Sequence, residues 1–193
     1  MTDARPTLWT IGHSTRTFDA LADLLTAHGV RRLVDVRLHP GSRRYPHFKS
    51  DALAVALPAR GVEYLHAPAP GGRRKPRPDS PNTAWRNDAF RGYADYMATP
   101  AFGAALAELE AGARGAPTAI MCSEAVWWRC HRGLISDALK VRGWRVLHIE
   151  DCRASKEHPY TGAARLADGR LTYDAREGVP AAAPKAGGGG LFG

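Results

Sequence analysis

The sequence predicts an α/β chain: a mostly parallel layered sheet of about five strands with helices on both faces, then a small C-terminal hairpin and a disordered tail. Three observations predict it. Residues 8–37 read strand, helix, strand, the signature of a parallel βαβ unit. Short apolar runs and helical periodicity keep alternating as far as residue 149. The 193 residues are 44% hydrophobic and 24% charged, which suits a folded chain and excludes a collagenous, fully disordered or disulfide-dense one.

The elements follow in order. Leu8 to His13 is a short apolar run ending at a Gly-His pair, read as a buried strand. Phe18, Leu21, Ala22 and Leu25 share one helical face, with Thr17 as N-cap and Gly29 just past the end. Residues 32–37 form the second strand. Ser50 is expected to cap a short helix carrying Leu53 and Leu57, and residues 62–65 form the third strand. From Pro68 to about Asn87 the chain is rich in Pro, Gly and Arg, and a loop of that length is either functional or disordered. A helix starts near Asp88, and Pro100 suits the first turn of the next. Residues 118–122 form the fourth strand. A helix with Leu134, Ile135, Ala138 and Leu139 on its inner face leads to the fifth, 145–149. Residues 165–174 read as a hairpin turning at Asp168-Gly169. The expected organisation is one domain over 8–150, an extension with the hairpin over 151–177, and an Ala/Pro/Gly tail over 178–193.

Charge narrows the choice of partner. The net charge is +8, and the span from Arg31 to Arg91 holds thirteen Arg or Lys against five Asp or Glu, which accounts for all of it. Such a stretch favours an anionic partner, nucleic acid or nucleotide, although a solvated Arg-rich surface has the same composition. No apolar run reaches the roughly 20 residues of a membrane helix, so no membrane partner is expected. The first ten residues lack the basic-then-apolar pattern of a secretory signal, and three cysteines fit reduced thiols. The expected compartment is therefore the cytoplasm.

In open α/β sheets ligands bind beyond the carboxyl ends of the strands. Here those ends carry His13 and Ser14; Asp35 and Arg37, then Ser42 and Arg43; His66, then Gly71 and Gly72; and Cys122 and Glu124, then Cys130, His131 and Arg132. The segments TIGHS (10–14), DVR (35–37) followed by Ser42-Arg43, Gly71-Gly72, Gly92-Tyr93-Ala94-x-Tyr96-Met97, and Cys122-x-Glu124 with Cys130-His131-Arg132 together resemble the domain-of-unknown-function 488 family over about residues 8–150. The resemblance implies a fold and a set of signature positions and names no reaction. The chain departs from the family pattern at Val126-Trp127-Trp128 and at Pro-Ala-Pro before Gly71.

Several chemistries fit these residues. Cys130 near a helix N-terminus beside His131 and Arg132 suits a thiolate, and the same end suits a phosphate. Cys122, Cys130 and His131, with or without Cys152, are also a candidate metal set, though the C-x7-C-H spacing is not that of a zinc ribbon; no cofactor is predicted, and a metal there is left open. Arg129 follows Cys122 one residue too late for the C-x5-R cradle of thiol phosphatases. Asp35 and Arg37 alternate along a strand, where a structural ion pair competes with a substrate role. Trp127 and Trp128 are placed to stack bases, whereas Tyr93 has helical spacing and also suits the core. The leading expectation is an enzyme of repair or processing type. It acts on nucleic acid or a nucleotide at a base or glycosidic bond, with Glu124 or Asp35 as acid/base and Arg37, Arg43 and Arg132 as phosphate clamps. His13, Ser14, Ser42, Gly71, Gly72, Tyr93, Trp127 and His131 complete the expected binding set. The alternatives are a thiol enzyme using Cys122 or Cys130, and a non-catalytic nucleic-acid-binding module.

Overall fold

The computed structural model describes residues 5–181. Six strands form the main sheet: β1 (Thr7–Gly12), β2 (Arg32–Asp35), β3 (Glu63–His66), β4 (Thr118–Cys122), β5 (Arg145–Ile149) and β6 (Ser155–Glu157). Their order is β3-β2-β4-β1-β5-β6, with the first five parallel and β6 antiparallel to β5. The sheet thus has one strand more than expected. Ser155–Glu157 is polar and mostly exposed, so no apolar pattern marks it, and it exists because it pairs with the free edge of β5.

Five α-helices flank the sheet: α1 (Phe18–Ala27), α2 (Ser50–Ala56), α3 (Asp88–Met97), α4 (Pro100–Gly115) and α5 (Arg132–Val141). Thr17, Asn87 and Thr99 cap α1, α3 and α4 through their side chains, satisfying amides that would otherwise lack partners. Ser50 does not cap α2 as expected; it is the first helical residue, after Lys49. Helices α1 and α2 bury Leu21, Leu25 and Leu53 against Ile11, Leu33 and Met121. Helices α3, α4 and α5 bury Tyr93, Phe102, Leu106, Leu134 and Ile135 against Leu8, Val34, Ile120 and Val146 on the other face. Every residue of β4 is buried, as a central parallel strand covered on both sides requires.

This two-sided arrangement places a crevice. The chain leaves β1 and β2 through helices on one face, and leaves β4, which lies between them, through α5 on the other. The connections part on both sides of the β4 carboxyl end, where Cys122 stands, and such a reversal point opens a ligand crevice.

The C-terminal hairpin is β7 (Arg165–Ala167) and β8 (Arg170–Thr172), turning through Asp168 and Gly169 at φ +50° and +74°, the left-handed pair of a type I′ turn. A short β9 (Val179–Pro180) pairs with β7, so ordered chain continues into the stretch expected to be tail; residues 182–193 of that stretch lie outside the described residues. A buried network ties this extension to α5. The Asp137 carboxylate accepts from Thr161 Oγ1 (2.6 Å), the Thr161 amide (2.8 Å), Tyr173 Oη (2.9 Å) and His158 Nε2 (2.8 Å). The chain continues through His148 Nε2 donating to His158 Nδ1 (2.9 Å) and Thr10 Oγ1 donating to His148 Nδ1 (2.7 Å).

The long segment after β3 contains no helix or strand, yet it is pinned. Asp95 on α3 accepts from the Arg77 amide, Ser80 Oγ and Asn82 Nδ2. Tyr93 and Tyr96 donate to the carbonyls of Pro70 and Ala69. Arg74 lies over the Tyr96 ring at 3.8 Å.

Candidate functional site

Two adjoining hollows open at the carboxyl edge of the sheet. The first, about 540 Å³, is built from the loops after β1 (His13, Ser14, Thr15), β2 (Arg37 to Tyr45), β3 (Gly72, Arg73) and β4 (Cys122, Ser123). The second, about 460 Å³, is walled by Glu124, Phe90, Tyr93, Trp128 and Arg129. Both hollows share Gly72, Arg73, Cys122 and His131, and both have the volume of a small-ligand site. Ser14 and Arg73 hold left-handed backbone at φ +49° and +61°, two of the four non-glycine residues to do so among those described. Such strain persists where surrounding structure imposes it, and it collects at binding sites.

Cys122 ends β4 at the junction of the hollows, and Cys130 and His131 precede α5. The ligand atoms of Cys122, Cys130 and His131 all lie within 4.8 Å of one another. Cys130 Sγ is 3.6 Å from His131 Nδ1, and His131 Nε2 donates to the Val36 carbonyl at 3.3 Å, which leaves Nδ1 as the lone-pair nitrogen. The Cys130 thiol next to Cys122 Sγ, together with His131 and Arg132, draws the Cys122 thiol well below the usual thiol range, against burial; the same contact and burial push Cys130 up. The loop does not form a phosphatase-like cradle. Its amides at Arg129 and Cys130 donate to the carbonyls of Val126 and Trp127 instead of converging on Cys122.

Five expected site residues are built into the scaffold. Asp35 is 0% exposed, binds Arg37 through both oxygens and accepts from Tyr64 Oη at 2.8 Å, so this carboxylate does not reach the cleft to act as acid/base. Arg37 lines the first hollow, and four of its five guanidinium N–H groups are held within the fold, by Asp35, the Phe48 carbonyl and His13 Nε2. Arg132 is 1% exposed and donates to Thr10 Oγ1 and to the carbonyls of Glu124 and Ala125; its Nε has no partner. It braces the loop that carries Glu124. Tyr93 is buried, with its ring 5.2 Å from that of His131 and its hydroxyl on Pro70. His13 supports Arg37: burial and then the Arg37 charge push it down to about 4, so the ring is neutral and accepts from the guanidinium.

The remaining residues are near or at the cleft. Ser14 and Ser42 line the first hollow, Ser42 Oγ also accepting from the Tyr45 amide. Arg43 is exposed and lines neither hollow; Arg44 and Arg73 supply charge there. Gly71 packs against Pro68 and Leu38. Gly72 touches His131: a Cβ there would lie 2.9 Å from Nδ1. Trp127 is stacked face to face on His148 at 4.6 Å and lines, with Trp85, an aromatic hollow that adjoins the second hollow through Asn87, Phe90 and Trp128; Trp128 is 58% exposed and lines both. Thr15, His39 and Ser123 line the hollows without having been singled out, their position after strand ends being the one available signal; Asn87, the N-cap of α3, lines the second hollow and had no such signal. Cys152 is exposed and outside the cysteine–histidine group. Among the described residues no helix is long and apolar enough to cross a membrane.

A family model described as Domain of unknown function DUF488 matches residues 17–139. No curated protein and no solved structure matches the chain.

Proposed function

For a chain that belongs to the domain-of-unknown-function 488 family, we propose a function read from its own cleft: a hydrolase that cleaves a C–N bond of a nucleobase, at the sugar or at an exocyclic amine, on a nucleotide or nucleic acid. The observation that carries the reading is the second hollow. It sets an exposed carboxylate, Glu124, beside the planar rings of Phe90 and Trp128 and the charges of Arg73 and Arg129. Stacking holds a base, guanidinium groups hold phosphate, and a carboxylate moves a proton. In the reaction a water oxygen bonds to carbon, the C–N bond breaks with its electron pair going to nitrogen, and Glu124 carries the water proton to that nitrogen.

The test presents the chain with nucleosides, nucleotides and short single- and double-stranded oligonucleotides, and follows released base and ammonia. Glu124→Gln is expected to lower turnover about 10²–10⁴-fold with ligand affinity retained. Binding with no turnover by the wild type, or turnover untouched in Glu124→Gln, overturns the reading; the first result makes the chain a binding module.

A further inference from the structure

The geometry points to a divalent metal site of zinc type at Cys122, Cys130 and His131, with one coordination position open to the hollow that Glu124 lines. Two sulfurs and one imidazole nitrogen are the donors that select zinc over magnesium or calcium. The three ligand atoms lie within 4.8 Å of one another, close enough to share one ion. Zinc–sulfur and zinc–nitrogen bonds of about 2.3 and 2.0 Å at tetrahedral angles set S···N at about 3.5 Å, and Cys130 Sγ to His131 Nδ1 is 3.6 Å. A bonded Cys122–Cys130 pair alone would not account for the imidazole beside it.

The surroundings are those of a ligand set. The far nitrogen of His131 donates to the Val36 carbonyl, which fixes the ring and turns Nδ1 inward, as outer partners of metal-bound histidines do. The Tyr93 ring supports the imidazole from the side. Gly72 keeps the approach to Nδ1 clear, because a Cβ there would meet it at 2.9 Å. Three protein ligands with a fourth position facing a cavity is the arrangement of a catalytic zinc, whose bound water ionises near neutral pH. That water would be the nucleophile whose proton Glu124 carries. Only this use of the open position rests on the proposed hydrolysis; the site itself rests on the ligand geometry.

The experiment uses the full chain, reduced and stripped by chelation, then titrated with Zn²⁺ or Co²⁺. About one equivalent is expected to bind per chain, and Co²⁺ is expected to show tetrahedral visible bands with a thiolate charge-transfer band. His131→Ala, checked for folding by circular dichroism, is expected to weaken Zn²⁺ binding at least about tenfold, and Cys122→Ser to reduce the charge-transfer intensity. Glu124→Gln keeps both metal and spectrum. A folded, reduced wild type that takes up no Co²⁺, uptake without a charge-transfer band, or full affinity in both ligand variants overturns the site. So does full turnover in metal-free protein that alkylation of Cys122 abolishes, which leaves a thiol enzyme. Metal bound as described with no C–N hydrolysis removes the proposed function and leaves the site standing.

Discussion

At the scale of single residues, the charged side chains divide into those that build the cleft and those that face it, and residue type alone does not separate them. Asp35, Arg37 and Arg132 have the chemistry of a site and the burial of a core. Their alternation along a strand or position at a helix start was legible, but the direction of each side chain depends on partners contributed by distant segments: Tyr64, Phe48 and Thr10. His13 illustrates what this burial costs. Its folded pKa, near 4, lies below the usual 6.5, so between these values the unfolded chain binds the extra proton. His13's share of stability is complete above about pH 6.5 and falls by up to about 1.4 kcal/mol per pH unit on the way down to pH 4. Urea unfolding between those values is expected to show a shallower slope in His13→Gln than in the wild type, with His148, also pushed down by burial, supplying the remainder. Equal slopes would show that His13 is not buried neutral.

At the scale of elements, the strands and helices with a strong apolar pattern were legible, and the five parallel strands and five helices stand close to where their patterns place them. The exceptions are β6 and β9, three and two residues long and mostly exposed. Neither has a pattern of its own, because each is stabilised by the edge that it completes. The extension containing β7, β8 and β9 packs Ala163, Ala164 and Tyr173 into the core and is tied to α5 by the Asp137 hydrogen bonds. Asp137→Asn replaces an acceptor of four hydrogen bonds with a group that can accept on one side only. It is expected to cost roughly 2–3 kcal/mol and to lower the melting temperature by roughly 4–12 °C. Early hydrogen exchange in residues 155–173 should accompany that loss. A melting temperature within a degree of wild type would mean that the extension is held by packing alone.

For the whole molecule, the sheet order explains why residues distant in sequence meet. Because β4 is inserted between β2 and β1 and its helix leaves on the opposite face, the loops after all three strands converge on Cys122. The convergence of strand ends on one edge was legible from the βαβ pattern. The division into two hollows was not, because it depends on the pinned path of residues 68–87, which has no periodicity to read. The basic segment 31–91 contributes Arg44 and Arg73 to the cleft, so binding of an anionic guest should weaken as salt is added. The most direct measurement is hydrogen exchange of the full chain with and without a saturating nucleoside monophosphate at low salt. Protection is expected in residues 13–16, 37–45, 71–73 and 122–131, the loops that meet at Cys122. Protection confined to other surfaces, or none at a concentration where calorimetry reports binding, would contradict a guest site at this end of the sheet.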